Sequence, residues 1–216
     1  RKPVVINVRG TCREFVNITR ANVTLRGDPA AEILAPDNAH DLLTVSADRV
    51  ALENFTLTGG LTGLSQDHAP TFTARNVVVQ DTSGIGVRVR VGDARLNNCT
   101  VQRSGGVGIS VVRGGSVILS NGSQVLDSAG AGISADRHGL VSLDKSTVMR
   151  SGEQGIRLNE ASQASIGNVS KIVENAGDGI EVQTGSHASI GNSEIAYNQT
   201  GIVVSGPSGA NIGSGN

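Results

Sequence analysis

The chain has 216 residues with 18 basic and 19 acidic side chains, a net charge of −1, so no field of one sign covers it to recruit nucleic acid or an anionic membrane. Its only aromatic side chains are Phe15, Phe55, Phe72 and Tyr197, which removes the stacking faces used by single-strand nucleic-acid grooves and aromatic sugar platforms. No apolar run reaches the length of a membrane span, so membrane insertion by a helix is not expected.

In chain order, residues 1–40 carry strand-like runs without a steady period: Val4-Val5-Ile6-Asn7-Val8, Phe15-Val16-Asn17-Ile18-Thr19, Val23-Thr24-Leu25-Arg26-Gly27 and Glu32-Ile33-Leu34-Ala35. Gly27-Asp28-Pro29 and Ala35-Pro36-Asp37-Asn38 are turn signals between them. These residues read as a less regular first coil of a single domain spanning 1–216, whose regular part is 41–216.

Beyond Leu43 a short clause repeats. Gly-apolar pairs start at Gly63, Gly86, Gly108, Gly132, Gly155, Gly179 and Gly201, a period of 22 to 24 residues, which is solenoid spacing. Three strands fit each period. Their inward positions are Leu64, Val87, Ile109, Ile133, Ile156, Ile180 and Ile202 in the first, and Leu52, Ala74, Leu96, Leu119, Leu143, Ile166, Ile190 and Ile212 in the second. Leu57, Val79, Val101, Val125, Val148, Ile172 and Ile195 belong to the third. Alternation with polar neighbours marks strands buried on one face, and no helical spacing is sustained. The recurrent glycines read as turn markers. Cys99 falls on an inward position and Cys12 in the irregular part, so both are expected as free thiols.

A second column stands between the second and third strands: Asn54, Asn76, Asn98, Asn121, Lys145, Asn168 and Asn192. Asparagine tolerates the left-handed backbone of a sharp bend, and its amide can bond the amide one coil on, which would satisfy turn groups otherwise buried unpaired. Ser104, Ser128, Ser151, Asn175 and Asn198 mark the turn after the third strand.

This arrangement resembles the right-handed parallel β-helix of the pectate-lyase-like superfamily, over about residues 41–212. The resemblance implies an all-β solenoid with three strands per coil and about nine coils, roughly 40 Å long at the spacing of paired strands. Proteins similar in this way include pectate and alginate lyases, polygalacturonases, pectin methylesterases, uronan epimerases, phage tailspikes and adhesins, among which fold alone does not choose. The resemblance also implies a substrate lying along the outer face of the first strand.

The outward positions of that face run Thr44, Ser65, Arg88, Ser110, Ser134, Arg157, Glu181, Val203 in one column, and Ser46, Asp67, Arg90, Val112, Asp136, Asn159, Gln183, Ser205 in the next. His68, Arg113, Arg137, His138 and Glu160 lie just beyond. Several arginines over a few coils suit the carboxylates of an acidic glycan, which guanidinium groups grip in bidentate fashion. Asp136, Arg157 and His138 are the candidate catalytic groups, and Arg88, Arg90, Arg113 and Glu181 the candidate substrate contacts. Asp136 and Glu181, two coils apart, would hold carboxylates roughly 9–10 Å from each other, at the outer edge of the separation in inverting glycosidases. The competing reading makes Asp67 with Arg90, and Asp136 with Arg157 and Glu181, solvated ion pairs between coils.

His40, His68, His138 and His187 are scattered without metal-ligand spacing, so neither a metal nor a cofactor is expected. The Asn-X-Ser/Thr triplets, such as Asn98-Cys99-Thr100, read as by-products of the repeat. The expectation is a secreted or cell-surface bacterial β-helix that binds an acidic polysaccharide along the first-strand face. If catalytic, it would be a polysaccharide lyase or glycoside hydrolase. The alternative is a non-catalytic spike, fibre or adhesion stalk. The terminal run Ala210-Asn211-Ile212-Gly213-Ser214-Gly215-Asn216 breaks off after a second strand, so end-to-end self-association, or a longer parent protein, is expected.

Overall fold

A computed structural model describes residues 2–213. The last three residues of the terminal run, Ser214-Gly215-Asn216, lie outside the described residues. The described chain contains strands and no helix, wound into a right-handed parallel solenoid of about 9 turns.

The first face is built from Val16–Ile18, Leu43–Val45, Thr62–Asp67, the starts of Ile85–Asn97 and Ile109–Ser120, then Ile133–Asp136, Ile156–Leu158, Ile180–Val182 and Ile202–Val204. Each strand pairs in parallel with its equivalent one coil on. Leu64 lies beside Val87, Ile109 beside Ile133 and Ile156 beside Ile180. The second and third faces repeat this, with Leu119, Leu143, Ile166 and Ile190 in one stack and Val125, Val148, Ile172 and Ile195 in another. Like stacks on like because a fixed coil length returns each side chain to the same azimuth. Burying one such side chain is worth about 1.5–3 kcal/mol, and the sum over coils offsets the entropy of ordering the chain.

The first coils keep this pairing. Val4–Arg13 runs beside Val23–Leu34, and the latter beside Val50–Thr58. The register shifts only where Gly27-Asp28-Pro29-Ala30 bulges out between Arg26 and Ala31, with a cis Asp28–Pro29 bond. That insertion blurs the period in the sequence.

The periodic glycines stand at the bend before the first strand or at its start, but the bend's backbone does not require glycine there. Gly63, Gly86, Gly108, Gly132, Gly155 and Gly179 do not adopt positive φ, and a Cβ on each would meet an atom of the interior. At Gly132 it would lie 2.5 Å from Val148 Cγ1, 2.7 Å from Gly155 O and 2.7 Å from Ser151 Oγ. Glycine recurs because the third-strand valine and the following turn residue fill its side-chain space.

Bends are made by one or two successive residues of positive φ. One column is Asn54, Asn76, Asn98, Asn121, Lys145, Asn168 and Asn192, with φ between 48° and 60°. Asn98 Nδ2 donates to Asn76 Oδ1 at 2.8 Å, and Asn76 Nδ2 to Asn54 Oδ1 at 3.0 Å. These rungs lie on the surface and do not rescue buried groups: Asn76, Asn98, Asn121 and Asn168 are exposed. Inside the same bend the work is done by serines. The Cys99 N–H donates to Ser123 Oγ at 3.1 Å and the Ser146 N–H to Ser170 Oγ at 3.3 Å.

The buried asparagine ladder is at the turn after the third strand. The Ser151 N–H donates to Asn175 Oδ1, and the Asn175 N–H to Asn198 Oδ1, both at 3.0 Å. Asn175 Nδ2 also reaches Asn198 Oδ1 at 2.9 Å. Cys12 and Cys99 are free thiols, and burial pushes the Cys99 thiol above its ordinary value.

Candidate functional site

The outward columns of the first face fall in the expected register. Thr44, Ser65, Arg88, Ser110, Ser134, Arg157, Glu181 and Val203 are successive pairing partners, and so are Asp67, Arg90, Val112 and Asp136. The turn beyond them is left-handed at His68, Val91, Arg113, Arg137, His138 and Glu160. That backbone swings these side chains away from the strand and opens a shallow depression of about 330 Å³, lined by Arg90, Val112, Arg113, Asp136, Arg137 and Glu160.

Three guanidinium groups and two carboxylates therefore meet over a few coils. Arg137 Nε is 3.2 Å from Glu160 Oε2, and Arg90 Nη1 lies 3.6 Å from Asp67 Oδ2, which also sits beside His68. Arg113, among the described residues, has neither a carboxylate nor a hydrogen-bond partner for its side chain. Arg90 Nε is buried without an acceptor.

Asp136 is held from within its own strand. Ser134 Oγ donates to Asp136 Oδ2 at 2.9 Å, and Arg157 Nη2 donates to Ser134 Oγ at 3.2 Å. Asp136 and Arg157 are thus joined through a hydroxyl and not by the direct ion pair expected between them. Arg157 also approaches Glu153 at 3.9 Å. Glu181 bonds to the Gln183 amide of its own coil, not to Asp136. Arg88 pairs with Asp41 at 3.4 Å, a partner just before the first strand two coils earlier. His138 is exposed on the turn, outside the lining of the depression. Of the candidate residues, Arg90, Arg113 and Asp136 share the depression, Arg157 reaches it through Ser134, and Arg88, Glu181 and His138 stand apart.

No group of three or more His, Cys, Asp or Glu side chains could hold a metal ion among the described residues. Chemically, the depression offers an unpaired cation, two further cations in loose pairs and one carboxylate fixed by a neutral donor. That set can receive a carboxylate ligand and hold a proton acceptor beside it.

Comparisons with known proteins agree with this architecture. A family described as "Right handed beta helix region" matches residues 129–214. A pectate lyase, Pel9A, superposes with a TM-score of 0.68 at 13% identity, covering 96% of this chain and 69% of the lyase. The chain has the right-handed parallel β-helix fold of the pectate lyases. An alginate lyase from Paenibacillus sp. str. FPU-7 superposes on this β-helix with a TM-score of 0.67 at 14% identity, covering 94% of this chain and 89% of that one. The pectin methylesterase PemA from Erwinia chrysanthemi gives 0.62 at 14% identity, with 97% and 84% covered. No curated protein matches the sequence of this β-helix significantly.

A charged column on another edge of the β-helix was not found from the sequence. After the third strand, Asp81, Arg103, Asp127, Arg150 and Glu174 follow one another in left-handed positions. Arg103 bonds Asp81 through Nε at 2.6 Å and Nη2 at 2.9 Å, and Arg150 bonds Asp127 at 2.6 and 3.1 Å. These bonds hold both aspartates below the usual carboxylate range and push both arginines up. The signal was a charge of alternating sign every 22 to 24 residues directly after each third strand.

Proposed function

We propose that this β-helix is a secreted or cell-surface protein that binds an acidic polysaccharide along its first face, with the depression around Arg113 receiving a sugar carboxylate. The observation that carries this reading is the unpaired Arg113 guanidinium between Arg90 and Arg137. A ligand carboxylate would meet it without first breaking an ion pair, which is where a cation is most useful. The solved β-helices that superpose with this chain include a pectate lyase and an alginate lyase, both named for uronate polymers.

Cleavage is the catalytic form of the same proposal. Asp136, oriented by Ser134, would take the C5 proton of the uronate as the C4–C5 double bond forms and the C4–O glycosidic bond breaks, the departing oxygen taking a proton from water, while Arg113 and Arg157 offset charge developing on the uronate carboxylate. Panning against pectate, alginate and glycosaminoglycans tests binding, and ultraviolet absorbance of unsaturated uronates tests cleavage. Retention on at least one acidic polymer is expected. Retention on none of them overturns the reading.

The stalk reading is favoured by a different observation: Arg88, Arg90 and Arg137 already have acidic neighbours, as inter-coil ion pairs of a structural module would. End-to-end self-association belongs with it.

A further inference from the structure

The second face carries a trough that the first-face reading does not use. It has a volume of about 330 Å³ and runs along the solenoid axis between two rows of outward side chains. One row is Ser116, Leu140, Gln163 and His187, and the other Ile118, Ser142, Ser165 and Ser189, each in pairing register from coil to coil. Between them the floor is the backbone over the inward Val117, Val141 and Ala164.

Its chemistry is the opposite of the first face. None of the lining residues is charged. The side-chain hydroxyls of Ser116, Ser142, Ser165 and Ser189, the Gln163 amide and the His187 ring make no hydrogen bond among the described residues. Free donors and acceptors therefore recur at about the 4.8 Å spacing of paired strands. Leu140, 43% exposed, and Ile118 supply an apolar patch at one end. Gly209 keeps the other end open for the imidazole, since a Cβ there would sit 3.1 Å from His187 Nδ1.

We infer that this trough binds a strand of uncharged polysaccharide laid parallel to the axis. Sugar hydroxyls pair with the serine, amide and imidazole groups, and a C–H face of the ring rests on Leu140 and Ile118. An uncharged ligand is the one that matches: over the coils from Ser116 to Ser189 an anionic chain would find no cation and a cationic chain no carboxylate, the two rows turning charged only one coil before, at Asp93 beside Ser116 and Arg95 beside Ile118, while unfilled hydroxyls suit a polyol. The inference is independent of what occupies the first face.

The test is amide NMR of the intact chain titrated with uncharged hexasaccharides of glucose, xylose and mannose, beside a uronate hexasaccharide. Saturable shifts are expected at Ser142, Gln163, Ser165 and His187 with at least one uncharged sugar. Ser165→Arg, which fills the trough, should weaken that binding at least about tenfold, and Leu140→Ala severalfold, each loss equivalent to one or two lost contacts. Arg113→Ala should leave it unchanged. Absence of shifts with all three uncharged sugars overturns the inference. So do sugar-independent shifts at these amides that grow with protein concentration, since the occupant is then a second copy. Unaltered binding by a folded Leu140→Ala variant also overturns it.

Discussion

Arg157 Nη2 and Ser134 Oγ lie 3.2 Å apart across neighbouring coils, and the same hydroxyl donates to Asp136 at 2.9 Å. Ser134 is 2% exposed, so its removal leaves Asp136 without its neutral donor. Ser134→Ala should cost about 0.5–1.5 kcal/mol in chemical denaturation. Combined with Arg157→Ala in a double-mutant cycle, it should show a coupling of at least about 0.5 kcal/mol. Additive losses would show that the two groups do not communicate.

The inner and outer asparagines should behave differently. Asn198→Ala removes the acceptor for the Asn175 N–H and for its amide, inside the turn, and should cost about 1–3 kcal/mol. Asn98→Ala loses one exposed rung and places alanine at a φ of 51°, at a cost of about 1 kcal/mol. Ser151→Asn extends the inner ladder towards Ser128 and should raise stability by about 0.5–1.5 kcal/mol. Thermal melting of the three variants checks the order.

Gly132 and Gly201 occupy the same place in the repeat, yet only one is crowded. A Cβ at Gly132 meets Val148 at 2.5 Å, whereas nothing lies within 4 Å of one at Gly201. Gly132→Ala should destabilise by at least about 1–3 kcal/mol through overpacking. Gly201→Ala should be close to neutral. Equal denaturation midpoints would contradict the packing explanation.

The Asp81–Arg103 and Asp127–Arg150 pairs set a sign for acid stability. Folded aspartates held below their unfolded value contribute stability above about pH 4, and lose it as pH falls through the folded value. Both aspartates are at least 40% exposed, so screening limits each pair to about 0–1 kcal/mol. Denaturation of Asp81→Asn and Asp127→Asn variants should show a deficit at pH 7 that shrinks towards pH 2.5.

Much of the fold was legible because the solenoid writes its geometry into a period: Leu143, Ile166 and Ile190 stack where their spacing puts them. What the period could not tell was which side of a bend an asparagine occupies. The left-handed residue itself points outward, as Asn98 and Glu174 do, and the inward polar group is the one following it or the next, as with Asn175 and Ser123. The columns of the first face were likewise readable, but not their pairings. Asp41 reaches Arg88 from two coils away, and nothing in the column marks Ser134 as the hydroxyl between Arg157 and Asp136. Glycine recurrence was visible, yet its cause lies in the neighbouring coil, where Val148 fills the space.

The most direct test of the central claim is calorimetric titration of the protein and its Arg113→Ala variant with uronate oligosaccharides over a range of salt. Saturable binding by the wild type, at least about tenfold weaker in the variant and less sensitive to salt, is the predicted result. Equal affinity and equal salt dependence in the two proteins would contradict it and place any acidic ligand away from the first face.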